Sequence, residues 1–412
     1  MSFFEKYKKI IFAAGFLLVV FIFGYLIYST FFKGSLPAPG QPNNQPAASS
    51  TPAGELPTSG AGTGQVAEQP PAAGGLPQGG ATNGASPIAD GGLTQTATLN
   101  QAPSLGVTMG SDGSGLQYYN QADGKFYRID KDGNATPLSD HVFYDVQQIT
   151  WSPAKDKAIL AYPDGAKIVY DFTNNKQVTL PSHWKDFDFS PSGSQIVLKS
   201  MGVDPDNRWL AVANNDGSKA KLIEAIGDNE ANVYPSWSPN NQIVAMYTQG
   251  VDFDRQEVFF VGQNNENFKS TVVEGRGFEP KWDPAGDKLL YSVYSSQNGL
   301  KPSLWIVNAQ GDAIGSGRKD LGVDTWAHKC TFAQDSLYCA VPDQLENGAG
   351  LFPELAAHTN DLLYRIDPQT GLKKLVAIPD GKFNMSNLMI SDNGYYLYFT
   401  DGNNILHKIK LK

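Results

Sequence analysis

The sequence predicts an all-β fold in which a four-stranded unit is repeated around a ring, and three observations carry that prediction. A strand–turn–strand pattern recurs through residues 105–412 at a spacing of about 44 residues, the self-similarity of a repeat architecture. Short apolar or alternating runs fill the same region and are broken by Asp-Gly, Asn-Asn and Ser-Pro pairs, which favour hairpin turns. No stretch there keeps a helical period over the length of an ordinary helix.

The clearest copy is Tyr234-Pro235-Ser236-Trp237-Ser238-Pro239, followed by Ile243-Val244-Ala245-Met246-Tyr247. The residues expected to end each first strand are Met109, Trp151, Phe189, Trp237, Trp282, Phe332 and Ile390. Apolar residues then open the second strands: Leu116, Ile159, Ile196, Ile243, Leu289, Leu337 and Leu397. Third strands follow, among them 125–130, 167–170, 257–261 and 303–307, and the fourth strands are short and polar, as exposed edges should be. Four antiparallel strands per unit, repeated, make a β-propeller. Seven hairpins predict seven blades; six is the alternative, because the Met109 hairpin is the weakest copy. The last unit ends after its third strand, 404–409, and residues 93–99 would supply the missing fourth strand and close the ring.

Three segments precede the propeller, which is expected over residues 93–412. Residues 1–9 carry Lys6, Lys8 and Lys9, and residues 10–32 hold no charge. At about 1.5 Å per helical residue such a run crosses a hydrocarbon core of about 30 Å. The lysines in front of it predict a cytoplasmic N-terminus, a single-pass transmembrane helix in the cell membrane and an extracytoplasmic head. The competing reading is a cleaved signal peptide. It fits less well, because the run exceeds the usual apolar length and Pro39 follows Leu36-Pro37-Ala38. Residues 33–92 are Pro-, Gly- and Ala-rich and bury too little apolar surface to offset backbone entropy, so a disordered linker is expected.

The formal charge is −9, and the part after residue 33 holds 28 basic and 40 acidic side chains. That balance repels phosphate backbones and argues against nucleic acid; it suits basic protein faces, cationic ligands or metal ions. Two cysteines make neither a disulfide framework nor a zinc-ligand set. Cys330 and Cys339 flank one hairpin turn symmetrically, so they should face each other on paired strands. Outside the membrane a disulfide is permitted; two free buried thiols are the alternative.

The Trp-Ser-Pro turn followed by an Ile/Leu-x-x-Tyr strand, as in Trp151-Ser152-Pro153 with Ile159-Leu160-Ala161-Tyr162, resembles the repeat of TolB-like propellers. These are the WD40-like (PD40) repeats of bacterial envelope proteins, and the resemblance covers residues from about 105 to 412. The Gly-His and Trp-Asp pairs of true WD40 repeats do not recur. What the resemblance implies is a fold and a binding habit. Such propellers serve as protein docking heads, as sugar lyases and as the non-catalytic half of some peptidases, so no partner carries over.

The repeated Trp, Ser and Pro are read as scaffold: the large ring packs between blades and Ser-Pro sets the turn. Function is expected where the copies differ, in the loops that join second to third strands and fourth to first strands, which share one face. Two of these loops carry Asp204, Asp206 and Arg208, and Asp252, Asp254 and Arg255. Oxygen-rich Asp-x-Asp pairs would suit a divalent cation such as calcium, but neither is a full calcium loop and Asp is an ordinary turn residue.

The longest insertion, residues 342–361, contains Phe352 and His358 and is expected to be a lid, a docking surface or a helix packed down over the channel. His141, His183, His328 and His358 map to the same face, and with Trp184 and Trp326 they would make a metal-assisted polysaccharide-lyase site. No spacing motif supports that chemistry, and no nucleophile elbow, phosphate loop or dinucleotide fingerprint is present. The sequence therefore reads as a membrane-anchored binding or docking module for an envelope protein or glycan, with no cofactor expected. An enzyme acting on an extracellular polysaccharide is the competing class, and a structural spacer the third.

Overall fold

The structure is a computed structural model that describes residues 18, 19, 21–23, 25, 84–264 and 266–412. The chain divides into two units, Met1–Gln78 and Gly79–Lys412. In the first, Leu18, Val19, Phe21, Ile22, Phe23 and Tyr25 are helical. Among the described residues no helix is long and apolar enough to cross a membrane. The rest of the expected anchor, and the expected linker up to residue 83, lie outside the described residues.

The second unit is a seven-bladed β-propeller, all-β apart from short 3-10 turns. Its innermost strands, which number the blades 1 to 7, are Ser104–Met109, Gln148–Trp151, Trp184–Phe189, Val233–Pro235, Arg276–Trp282, Cys330–Ala333 and Ser386–Ile390. Each blade buries its faces against its two neighbours. Between blades 1 and 2, Phe126 meets Tyr170, Phe143 and Leu160; between blades 5 and 6, Leu290 and Leu304 meet Leu337 and Ile366. Fully burying one such side chain contributes about 1.5–3 kcal/mol, so the stability lies in these layers rather than in any one blade.

Blade 7 holds both ends of the propeller. Thr96–Thr98 pairs antiparallel with Leu406–Lys410, in the register Thr96↔Ile409 and Thr98↔His407. Just before it, Leu93–Thr94 runs parallel to the outer strand of blade 6, Lys373–Pro379, as a fifth strand that the repeat pattern does not announce. The last nine residues of the expected linker, 84–92, also find partners: Ala89 N–H donates to Lys410 and Gly91 N–H to Val376. Composition reads them as disordered because it contains no information about the strand edges that receive them.

The copy that is clearest in sequence is the least regular in structure. The inner strand of blade 4 stops at Pro235, which has no N–H to continue a ladder, and the next strand opens only at Ala245. Trp237 and Ile243 therefore stand in the connection, not at strand ends. Trp237 is nonetheless buried between blades 3 and 4, and its indole N–H reaches Asn241 Oδ1 at 2.8 Å. Blades 1, 3, 5 and 7 carry a bulge in the inner strand, with Gly106, Asp186, Gly277 and Asn387 at φ of 60°, 53°, 65° and 50°. At Gly106 a side chain would also meet Ile149 Cβ at 2.7 Å. The carbonyl of Gly106 accepts from the Trp151 indole at 2.6 Å, locking blade 2 to blade 1.

Candidate functional site

First and third strands of each blade run the same way, so the second-to-third and fourth-to-first connections lie together on one face. Those loops hold seventeen acidic side chains and only four basic ones, Arg255, Lys301, Lys329 and Lys382. The hairpin loops on the opposite face hold twelve acidic and five basic. The acidic face also exposes large apolar side chains at its loop tips: Tyr144, Val203, Phe253, Leu351, Phe352 and Leu355, with Tyr144 75% and Phe253 72% exposed. Of these, only Leu351, Phe352 and Leu355 lie together, on one loop; the others stand singly on loops of different blades.

Three of the four Asp side chains are engaged within the protein, Asp204 and Asp252 in their own loops and Asp254 across to the next blade. Asp204 caps the 3-10 turn Pro205–Asn207 by accepting from Asp206 N–H at 3.1 Å. Arg208, which follows, reaches Asp228 at 3.0 Å and the Gly202 carbonyl at 3.1 Å. In the next blade Arg255 donates to Asp252 Oδ2 at 2.8 Å, and this bond holds the Asp252 carboxyl below the usual carboxylate range. Asp254 reaches across to blade 5 and accepts from Ser296 through both its backbone N–H, at 2.7 Å, and its hydroxyl. Among the described residues no three His, Cys, Asp or Glu side chains are arranged to hold a metal ion.

The insertion between Ser336–Pro342 and Asp361–Ile366 is held in place at several points. Gly348 and Gly350 N–H donate to the Gly299 and Leu300 carbonyls of blade 5, each at 2.8 Å. Ala349, Ala356 and Leu345 pack over Trp326, and the Asn384 amide donates to the Ala356 carbonyl at 2.6 Å. At its base Lys329 and Asp361 form an ion pair of 2.7 Å, with both side chains shut off from solvent. Burial pushes the Asp361 carboxyl up, and the Lys329 charge opposes that shift. The result is a fixed platform, bearing the 3-10 turn Pro353–Ala356, from which Leu351, Phe352 and Leu355 face water.

The histidines and tryptophans are distributed around this face. His183 and His358 are exposed, and His328 is bound through Nδ1 to Glu279 at 2.8 Å. His141 sits against Tyr170 near blade 2. Trp184 is buried between blades 2 and 3, and Trp326 is buried under the insertion. The four histidines stand on separate loops, Trp184 opens the inner strand of blade 3 and both tryptophans are buried, so these residues form no single convergent cluster.

Cys330 and Cys339 stand directly opposite each other in the first hairpin of blade 6, fully buried, and are joined by a disulfide. Two half-buried charges on inner strands leave no trace in the repeat pattern. Asp188 accepts from the backbone N–H of Trp237 at 2.7 Å and of Phe189 at 2.9 Å, and its burial pushes the carboxyl up to about 6. Lys281 donates to the Cys330 carbonyl at 2.5 Å across blades 5 and 6, and burial pulls its ammonium down to about 8.

No family model matches this chain, and no curated protein matches it. Solved structures do. The β-propeller domain of Cps50 (Swd1) from Myceliophteria thermophila is similar at 13% identity and a TM-score of 0.53, over 77% of this chain and 100% of that one. An oligogalacturonate lyase in complex with manganese is similar at 12% identity and a TM-score of 0.50, over 77% of this chain and 93% of that one. At such identities the likeness is one of fold, and that fold is the β-propeller.

Proposed function

We propose that this protein is a docking module: a β-propeller of the TolB-like kind, tethered outside the cell membrane by residues 10–32 and the linker, that holds an envelope protein against its acidic loop face. The observation that carries the reading is the platform at Leu351, Phe352 and Leu355, three exposed apolar side chains on a loop fixed by backbone bonds and a buried ion pair. An ordered apolar patch costs little entropy on binding, which is what a docking site needs. The excess of acidic over basic loop residues favours a partner with a basic rim, whose approach the field would accelerate. The uncharged run behind Lys6, Lys8 and Lys9 supports the tether, and with it the extracytoplasmic placement.

The test is capture by the full-length protein in intact cells with Phe352→Asp and Leu355→Asp together. Both side chains are exposed, so the fold should survive, and loss of a captured envelope protein would support the placement. Undiminished capture would remove the platform from the docking surface. Protease added outside cells should digest the propeller; complete protection would contradict the topology.

A further inference from the structure

The cleft between the blade 4 and blade 5 loops has a chemistry of its own. It encloses about 540 Å³ and is lined by Trp305, Phe253, Glu274, Ser295 and Gln297, with the Asp252–Arg255 pair at its edge. Its walls are set by the Asp254–Ser296 bonds, which clip the two loops together, and by the Arg276 guanidinium, which donates to the Asp252 carbonyl at 2.8 Å.

Sorting the lining by what is already used leaves a short list. Asp252 is neutralised by Arg255, and both Asp254 oxygens are taken by Ser296. Glu274 makes no hydrogen bond: it stands 4.0 Å from Arg318, the outer limit of an ion pair, its charge helps hold the Arg255 guanidinium protonated, and its exposed carboxylate lines the cleft. Neither the Ser295 hydroxyl nor the Gln297 amide has a partner within the protein among the described residues. Trp305 is half-buried: it stacks at 14° on Tyr291 and packs against the blade 4–5 core, and it also lines the cleft.

We infer that this cleft is the subsite for an arginine side chain of the docked protein. A guanidinium is planar and stacks on an indole face, where the ring quadrupole attracts the cation. Its five donors need acceptors, and Glu274, the Gln297 carbonyl and the Ser295 hydroxyl accept no hydrogen bond among the described residues. An anion would meet Glu274 unfavourably. A neutral sugar would use the aromatic floor but would gain nothing from a lining in which Asp252, Asp254 and Glu274 stand against Arg255 alone. Phe253, exposed on the rim, would cover the methylene stem of the arginine.

This inference rests on the docking reading for the origin of the arginine, but its test does not need the partner. The probe is N-acetyl-arginine methylamide, followed by saturation-transfer NMR against the full-length protein in detergent. N-acetyl-citrulline methylamide serves as the uncharged isostere and cellobiose as the neutral sugar. Saturable binding of the arginine probe, weakened about tenfold by Glu274→Gln and absent for citrulline, is the expected result. Glu274 is exposed, so that variant should fold; Trp305→Phe, which keeps an aromatic floor with a weaker quadrupole, should bind at an intermediate level. Equal binding of citrulline, binding of cellobiose alone, or no saturation by the arginine probe would each overturn the assignment. Failure here with intact capture in cells would sink the subsite and leave the docking face standing.

Discussion

The ammonium of Lys329 lies 2.7 Å from the carboxylate of Asp361, and neither side chain is accessible to water. Lys329 also donates to Asn384 Oδ1 at 2.8 Å, and Asp361 accepts from Met385 N–H at 2.5 Å. The pair therefore joins three pieces: the start of blade 6, the end of its insertion, and the connection into blade 7. Removing one member strands the other charge in the interior, which costs about 3–5 kcal/mol. Lys329→Ala should lower stability by that order in urea denaturation and loosen the insertion to proteolysis. Lys329→Met combined with Asp361→Leu should recover much of the loss. A single variant as stable as the wild type would show that the pair carries no such burden.

The half-buried charges at Asp188 and Lys281 should give the propeller a defined pH response. Asp188 titrates at 3.8 when unperturbed and near 6 in the fold, so the native state holds the extra proton between those values. Stability should fall as pH rises from about 4 to 6 and then level off, because the proton favours the folded form. Lys281 titrates at 10.5 when unperturbed and near 8 in the fold, so the unfolded state binds more protons between them, and stability should rise over that window. Asp188→Asn should abolish the first slope and Lys281→Met the second, each read from melting temperature against pH. Slopes of the opposite sign would contradict the burial of these groups.

The disulfide closes a short hairpin, with a sequence separation of 9, inside a blade that already has four strands and two packed faces. Loop-closure entropy gives it a contribution of at most about 2–3 kcal/mol. Replacing Cys330 and Cys339 together by Ala should leave the far-ultraviolet spectrum unchanged and lower the unfolding free energy by no more than that amount. Unfolding at room temperature would mean that the bridge holds far more than one hairpin.

Much of the fold was legible because propeller blades repeat the same local physics. Alternating strands, Asp-Gly and Ser-Pro turns, and a large ring between blades gave the count of seven and the closure by residues near Leu93 to Leu99. The irregular blade 4 shows the limit: Tyr234–Tyr247 reads as the best hairpin, yet Pro235 ends its first strand early. The candidate site was legible only as a face. Strand order places Asp204, Asp252, His328 and Phe352 on one side, but no spacing rule reveals that Asp254 spends both oxygens on Ser296. Nor does it reveal that Trp184 and Trp326 are buried, or that Lys329 pairs with Asp361. Those are contacts between residues distant in sequence, and they depend on how neighbouring blades meet.

The docking face itself is tested most directly by photo-crosslinking in intact cells from single positions on the full-length protein. A photoreactive residue in place of Phe253 or Phe352 samples the acidic face, and one in place of Tyr395, exposed in a hairpin turn of blade 7, samples the opposite face. The prediction is a discrete protein adduct from positions 253 and 352, with a basic segment of the partner at the crosslink, and none from 395. Adducts from 395 alone, or none from either loop of the acidic face, would contradict it.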